Sequence, residues 1–388
     1  MSRPLTVMLV AAEASGDNLG AGLARALKAK VGADKVRFVG VGGPRMAEQG
    51  VESPFDITDL SILGWIEGVR AYGRVKRRVA ETVELAVREK PDVAVLIDSW
   101  GFTIRVAKGL RAALPDLKIV KYVGPQVWAS RPGRARTLAG AVDHLMTLHG
   151  FDPPWFEKEG LPTTFVGNPS LAIDFSQADG ARFRQENALS PEQPLLLILP
   201  GSRPAEIMRM TPVFEQTARR LKAARPDLAM AVVVADTIAD DLKGRVAGWP
   251  FRCILVEGDA AKKDAMKAAT VALATSGTVS TELALAGVPM VIAYRLGGLS
   301  FALTSRLMTA RHITLFNIAA DKRIAPEYLQ NAATPEALAQ AVAERLDRPE
   351  LRAEQIAEQT AALDLMGRGQ PDPSAAAADV VLSVVQAR

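Results

Sequence analysis

The stretch from Ala274 to Pro289 reads Ala-Thr-Ser-Gly-Thr-Val-Ser-Thr-Glu-Leu-Ala-Leu-Ala-Gly-Val-Pro, and the apolar run Val271–Ala274 leads into it. A short apolar run of this kind predicts a strand that is buried on both faces. After the turn Ser276-Gly277-Thr278, the residues Val279 to Ala286 predict a helix, and Gly287 and Pro289 mark its end. The stretch therefore predicts a buried strand, a turn of small residues and a helix in direct succession.

This junction has two features that suit a phosphorylated ligand. Free backbone N–H groups and the positive end of the helix dipole meet at Ser276, Gly277 and Thr278, where a phosphate can bind. Glu282 lies about one helical turn after Thr278, where its carboxylate can accept both hydroxyls of a ribose. The alternative is an ordinary strand–helix junction with a surface glutamate, and the junction alone leaves both interpretations open.

The same succession of strand, turn and helix recurs along the chain. Leu5–Ala11 predicts a strand that runs into a turn containing Glu13, Ser15, Gly16 and Asp17, and Leu195–Leu199 runs into a turn that contains Arg203. Strands that alternate with helices predict parallel sheets that bind ligands at the carboxyl ends of their strands. We therefore expect an α/β protein with two doubly wound, Rossmann-like domains that face a cleft. Arg203 can neutralise a diphosphate through two hydrogen bonds.

The length of 388 residues also favours two domains. A polar, turn-rich segment at 174–194 predicts a hinge, so we expect an N-terminal domain at 1–173 and a C-terminal domain at 195–365. The tail at 366–388 predicts a helix that packs on the first domain or on a partner chain. A monomer and a homodimer are both compatible with this pattern.

Composition excludes several classes of function. The single cysteine rules out a disulfide framework, and the three histidines have no metal-binding spacing, so we expect a cytoplasmic protein without a metal or cofactor. No apolar run reaches the length of a membrane span, and the start of the chain does not resemble a signal peptide. The net charge of +4 is mild, and no basic tail indicates nucleic-acid binding. Neither a dinucleotide-binding glycine pattern nor a P-loop is present.

The first half of the chain contains the candidate groups for chemistry. Asp98 follows the predicted strand 91–97, where a carboxylate can act as a general base toward a hydroxyl; a helix cap is the alternative. Trp128 and Arg131 lie after the next predicted strand and can stack on a sugar or pair with a phosphate. A structural role for Trp128 is equally compatible with its position.

The stretch 61–83 departs from this alternation. Leu63, Trp65, Ile66 and Val69 belong to an apolar face that is followed at once by clustered arginines and lysines. Such a helix can lie in the interface of an anionic membrane, or it can pack on a core with its basic face in water.

Several short motifs together resemble the lipid-A-disaccharide synthase family over nearly the whole chain. They are Ala12-Glu-Ala-Ser-Gly-Asp17, Gly43-Pro-Arg-Met46, Pro91-Asp92 with Ile97-Asp98, Val127-Trp-Ala129 with Arg131, Leu199-Pro-Gly-Ser-Arg203, Ser276-Gly-Thr278 with Glu282, Pro289-Met-Val291 with Tyr294-Arg295, and Asn317. One such motif alone is weak, whereas their common order and spacing are specific.

The resemblance implies a GT-B glycosyltransferase that joins a UDP-2,3-diacylglucosamine donor to 2,3-diacylglucosamine-1-phosphate through a β(1→6) bond with inversion, releasing UDP. It implies that Asp98 acts at the acceptor hydroxyl, that Arg203 and the turn Ser276–Thr278 bind the diphosphate, and that Glu282 and Asn317 contact uridine. Because the substrates carry acyl chains, it also favours peripheral attachment of the stretch 61–83 to the inner membrane.

The chain departs from the family pattern at Gly101, Ser130, Gly150 with Asp152, and Asn168. All of these positions lie in the first half, while the nucleotide-binding half keeps its pattern. Two alternatives therefore stay open from the sequence: a UDP-sugar enzyme of the same architecture, such as a UDP-N-acetylglucosamine 2-epimerase, and a paralogue that binds UDP-sugar or lipid without catalysis.

Overall fold

A computed structural model describes residues 3–60, 65–201, 204–234, 239–297, 311–370 and 372–387, without the side chains of 65–71, 205 and 239. The chain forms two compact units. The first unit contains Met1–Asn168 together with Gln370–Arg388, and the second contains Pro169–Gly369.

The first unit is built on a parallel sheet of six strands in the order β2-β1-β3-β4-β5-β6. The strands are β1 Leu5–Ala11, β2 Val36–Val41, β3 Val93–Ile97, β4 Lys118–Tyr122, β5 His144–Thr147 and β6 Thr163–Phe165. Residues of β1 and β3 are almost all buried because helices cover both faces of the sheet. The strand order reverses between β1 and β3, which is where ligands bind in open parallel sheets.

The helices of this unit are α1 Ala14–Val31, α2 Pro44–Ala47, α3 Trp65–Glu89, α4 Trp100–Ala113, α5 Arg134–Ala139, α6 Pro153–Glu157 and the C-terminal helix Pro373–Gln386, with a 3₁₀ turn at Ile57–Leu60. One face of the sheet packs with α3 and α4, and the other packs with α1 and the C-terminal helix. A Cβ added to Gly22 of α1 would lie 2.6 Å from Ser374 Oγ, so the two helices approach closely at a glycine.

The second unit repeats the parallel arrangement with strands in the order β12-β11-β10-β7-β8-β9. The strands are β7 Leu195–Leu199, β8 Ala229–Val233, β9 Ile254–Val256, β10 Val271–Ala274, β11 Met290–Tyr294 and β12 Glu327–Leu329. Numbered within the unit, this is the Rossmann order 3-2-1-4-5-6, with its reversal between β7 and β10. The predicted fold class of two doubly wound, Rossmann-like domains is confirmed.

The helices of the second unit are α7 Gly180–Glu186, α8 Pro204–Ala224, α9 Ala239–Ala247, α10 Asp259–Ala268, α11 Thr278–Ala286, α12 Leu315–Ala320, α13 Pro335–Asp347 and α14 Pro349–Leu365, with 3₁₀ turns at Pro169–Ala172 and Gln330–Ala332. The segment 174–194, predicted as a hinge, contains α7. Arg182 of α7 binds Asp264 of α10 with Nε at 3.0 Å and Nη2 at 2.8 and 2.6 Å from the carboxylate oxygens. This pairing attaches α7 to the second unit.

Candidate functional site

A cavity of about 370 Å³ lies at the carboxyl ends of the strands in the second unit. Residues after β7 and after β10 line it together, so it occupies the point where the strand order reverses. The lining residues are Leu199, Gly201, Glu206, Val233, Val234, Gly258, Asp259, Lys262, Thr275, Ser276, Gly277, Thr278, Val279 and Glu282. The cavity therefore contains the turn and the glutamate that the sequence predicts as ligand contacts.

The N-terminus of α11 opens into this cavity. Gly277 is the N-cap residue, and no side chain there hydrogen-bonds to the first turn. A Cβ added to Gly277 would meet no atom within 4 Å, and Thr278 is exposed. Ser276 Oγ donates to the carbonyl of Ile313 at 3.2 Å, which attaches the turn to the segment before α12. The uncapped N–H groups and the dipole of α11 suit an anion at this point.

Glu282 has a cationic partner that the sequence did not suggest. Lys262 Nζ lies 2.7 Å from Glu282 Oε2 and 3.1 Å from Asp259 Oδ1. Burial alone would lower the pKa of Lys262, but its hydrogen bonds to Glu282 and Asp259 raise that pKa above the ordinary value. The sequence predicted the short helix from Asp264 onward, whereas α10 begins at Asp259, so Lys262 lies in its first turns. A prediction that this helix begins directly after Gly258 would have placed Lys262 in its first turns.

Asn317, predicted as a uridine contact, has a different place in the structure. It is fully buried, its Nδ2 donates to the Ala325 carbonyl at 2.9 Å, and its Oδ1 accepts from the N–H groups of Ile324 and Ala325 at 3.0 and 3.1 Å. Its amide therefore stabilises the turn after α12, and the uridine contact stays a prediction.

Arg203, the predicted diphosphate ligand, lies outside the described residues. The described part of its turn contains Gly201 with a φ of +116°, a conformation that favours glycine. A Cβ at Gly201 would lie 3.0 Å from Glu206 Oε2 and 3.3 Å from Thr275 Oγ1. Glycine is therefore needed at position 201, where the turn after β7 passes close to Thr275 in the turn after β10.

Asp98 lies at the strand-order reversal of the first unit. It is half-buried, and its Oδ2 accepts a hydrogen bond from Ser15 Oγ at 3.2 Å. Ser15 follows β1 and Asp98 follows β3, so the two neighbouring strand ends bring these predicted residues together. Asp98 and Ser99 have φ values of +47° and +39°. Left-handed backbone at a non-glycine residue costs on the order of 1–3 kcal/mol and is concentrated at functional sites.

The other residues of the first turn divide into exposed and structural ones. Glu13 is exposed at the N-cap of α1, whereas Gly16 is buried, and a Cβ there would lie 3.2 Å from that of Ala11. Asp17 is 3 % exposed, and its carboxylate accepts from the backbone N–H groups of Gly43, Arg45 and Met46 at 2.8, 2.9 and 3.0 Å. It thus stabilises the start of α2, and its role as a cleft contact stays a prediction.

Trp128 belongs to a buried polar network. Its Nε1 donates to Asp152 Oδ1 at 2.8 Å, and the other carboxylate oxygen lies 3.2 Å from His149 Nδ1. Asn168 Nδ2 lies 3.5 Å from His149 Nε2, and the ring of Phe151 contacts those of Trp128 and His149. The structure therefore favours a structural role for Trp128 over the predicted sugar stacking. The same network contains Asp152 and Asn168, two of the positions at which the chain departs from the family pattern.

Arg131, also predicted at this site, is exposed and has a φ of +53°. The neighbouring Arg134 lies with its guanidinium 5.2 Å from the ring of Trp100. Burial lowers the pKa of Arg134 from its ordinary value, and the charge of Arg131 lowers it further. Arg131 therefore remains a candidate for an exposed anionic group.

The predicted membrane contacts are only partly described. Leu63 lies outside the described residues, and so do the side chains of Trp65, Ile66 and Val69 at the start of α3. Further along α3, Val75, Val79 and Val83 pack against the core, while Tyr72, Arg74, Lys76 and Arg77 are exposed. Within the described ranges, no helix is long and apolar enough to cross a bilayer. Nor do the described residues include a group of three or more His, Cys, Asp or Glu that could hold a metal ion.

Comparisons with known proteins identify the family. The family described as lipid-A-disaccharide synthetase matches residues 7–380. The lipid-A-disaccharide synthase of Rhodospirillum centenum is 42 % identical over 386 residues, with 100 % of this chain and 96 % of that protein covered. The enzyme of the same name from Paramagnetospirillum magneticum is 39 % identical, with 98 % of each chain covered.

Among solved structures, the Staphylococcus aureus MnaA–UDP co-structure has a TM-score of 0.63 at 14 % identity, with 98 % of each chain covered. The glycotransferase of kitacinnamycin has a TM-score of 0.62 at 15 % identity, with 99 % of this chain and all of that chain covered. At these identities the structures support the fold alone. The family match and the sequence identities confirm the resemblance carried by the motifs: the chain belongs to the lipid-A-disaccharide synthases, a family of hexosyltransferases.

Proposed function

We propose that this protein joins UDP-2,3-diacylglucosamine to 2,3-diacylglucosamine-1-phosphate and releases UDP. The observation that carries the proposal is the cavity of the second unit, where the free N-terminus of α11 and Glu282 lie together. The turn Ser276–Thr278 would bind the diphosphate through backbone N–H groups, and Glu282 would accept the ribose hydroxyls. Arg203 would add a cation to the diphosphate.

The acceptor hydroxyl would be activated by Asp98. As the 6-hydroxyl oxygen bonds to the anomeric carbon of the donor, its proton passes to the Asp98 carboxylate. The bond between that carbon and the phosphate oxygen breaks, and UDP leaves with the electron pair. Attack from the face opposite UDP gives inversion and a β(1→6) linkage. Anion-binding groups at the diphosphate stabilise the charge that accumulates on UDP.

Product analysis tests this proposal. The purified protein is incubated with both diacylated substrates, and the products are identified by mass spectrometry. We expect a disaccharide-1-phosphate and UDP. An epimerised sugar would instead identify a UDP-sugar epimerase, and UDP binding without any product would identify a binding paralogue.

An Asp98→Asn variant tests the role of the carboxylate. Loss of a general base lowers turnover by about 10²- to 10⁴-fold, while UDP affinity should stay the same because the cavity is unchanged. Asp116→Asn changes an exposed aspartate next to β4 and serves as the matched control. Turnover that survives in Asp98→Asn would remove Asp98 from the mechanism.

Peripheral attachment to the inner membrane is the second part of the proposal. It is supported by the exposed Tyr72, Arg74 and Lys76 on α3, because exposed cations and an aromatic ring suit an anionic lipid surface. Changing Leu63, Trp65 and Ile66 together to serine should release the protein from anionic vesicles in a flotation assay. Leu365→Ser, at a leucine that is 60 % exposed in the second unit, is the control. Equal binding by both variants would contradict the attachment.

A further inference from the structure

Lys121 of β4 is a buried lysine that the proposed mechanism has not used. It is 2 % exposed, although lysine is almost never fully buried in proteins unless it is paired. It is paired in the sheet with Leu96 of β3, two residues before Asp98. Its Nζ donates to the backbone carbonyl of Asp98. A cation therefore lies beneath the backbone of the proposed general base.

The backbone of Asp98 is held from three sides. Its N–H donates to the Tyr122 carbonyl at 2.8 Å, and its carbonyl accepts from Thr103 Oγ1 at 2.8 Å in addition to Lys121. Asp98 and Ser99 both have left-handed backbone. Such a conformation persists only where the surrounding contacts determine it. Lys121 and Thr103 are two such contacts, and both act on one oxygen atom.

The ammonium of Lys121 is costly where it lies. Burial lowers the pKa of Lys121 to about 7, and the nearby Asp98 carboxylate opposes that shift. An apolar side chain of similar length would fill the same space without the cost of desolvation. A contribution to stability therefore does not explain an amine at this position. A role in the orientation of Asp98 does explain it.

We propose that Lys121 is a positioning residue for catalysis, which holds the Asp98 carbonyl and thereby directs the Asp98 carboxylate to the acceptor hydroxyl. The inference rests on the proposed function, since it needs Asp98 to act at that hydroxyl. Because Lys121 is buried, it acts through Asp98 and not on the substrate directly.

Lys121→Met in the full chain tests the proposal. We expect kcat to fall at least tenfold, because small displacements of a reacting group are costly in rate. The KM values for both substrates should stay within twofold, and the melting temperature should be unchanged or higher. Lys118→Met changes the lysine at the other end of the same strand and should leave kcat unchanged.

Each other outcome contradicts the proposal in a recognisable way. An unchanged kcat in Lys121→Met would overturn it, and a lower melting temperature with raised KM values would assign Lys121 to structure alone. Should Lys121→Met fail to fold, Thr103→Val removes the other donor to the same carbonyl, and an unchanged kcat there would also overturn the proposal. Full activity of Asp98→Asn would instead remove Asp98 from the mechanism, and the absence of a disaccharide product in the wild type would show that the proposed function has failed.

Discussion

Lys262 lies opposite Glu282 in the cavity of the second unit, with 2.7 Å between Nζ and Oε2. The Lys262 and Glu282 side chains are 22 % and 15 % exposed, so the pair is shielded from water. Lys262→Met would leave the carboxylate without this partner and would remove a cation from the wall of the cavity that we propose as the diphosphate site. We expect the Kd for UDP to rise at least tenfold, equivalent to about 1.4 kcal/mol, by isothermal titration calorimetry.

The adjacent lysine provides the control for that measurement. Lys263 belongs to the same helix and binds Asp259 at 3.1 Å, but it does not line the cavity. Lys263→Met should therefore leave the Kd for UDP within twofold. Similar losses of UDP affinity in both variants would mean that only the overall positive charge of α10 contributes to UDP binding. Lys262 would then make no specific contact with UDP.

Lys121 predicts a pH dependence of stability. Its pKa is about 7 in the folded protein and near the ordinary 10.5 when unfolded. Between these values the unfolded state binds the additional proton, so the free energy of unfolding rises with pH, by up to about 1.4 kcal/mol per pH unit. Denaturant unfolding at pH 7 and pH 9 should therefore show a gain of about 2 kcal/mol in the wild type that Lys121→Met lacks. Parallel pH dependences in the two proteins would contradict this.

At the scale of elements, the wholly apolar strands could be predicted, whereas three short strands with polar side chains could not. The bounds of β1, β7 and β10 agree with the strands predicted from the sequence, because each is an apolar run that ends at a turn of small or polar residues. β5, β6 and β12 were not predicted, since they are three or four residues long and include polar side chains. Their place is determined by pairing with a neighbouring strand.

Helix starts were predicted too late for a single reason. α1 begins at Ala14, within the residues predicted as a turn after β1, and α10 begins at Asp259 and not at Asp264. In both, the polar residues after the strand form the first helical turns, although such residues are typical of a loop. Because ligands bind at such turns, this error concealed Lys262.

For the candidate site residues, the sequence indicated the turns in which they lie but could not show which of their side chains hydrogen-bond to the backbone. Asp17 and Asn317 have side chains that bind a phosphate, a sugar or a backbone amide equally well, and burial decides between these partners. Nothing in the sequence indicated a role for Lys121 near Asp98, because a lysine in a strand usually indicates an exposed edge of a sheet. Only the pairing of β3 with β4 brings it to Asp98.

At the scale of the molecule, the first unit is made from two separate parts of the chain. Val381 of the C-terminal helix is fully buried in the same cluster as Leu23 of α1. Val381→Asp would place an unpaired charge there and should lower the free energy of unfolding of the first unit by about 3 kcal/mol or more. Ser383→Asp, at an exposed position of the same helix, is the control.

Calorimetric unfolding measures the stability, and UDP titration reports on the second unit. We expect Val381→Asp to retain its affinity for UDP, because every residue that lines the cavity belongs to the second unit. If the free energy of UDP binding fell by as much as the free energy of unfolding, this would show that the two units unfold as one.

The discontinuity of the first unit has a consequence for biosynthesis. A ribosome releases Pro169–Gly369 before Gln370–Arg388, so the second unit has its whole sequence available while the first still lacks its last helix. Until the C-terminal helix has been synthesised, the apolar side of α1 that this helix covers stays accessible. The first unit of the nascent chain is thus open to chaperones and proteases while the second unit is being made, and the arrival of this helix is the event that protects it.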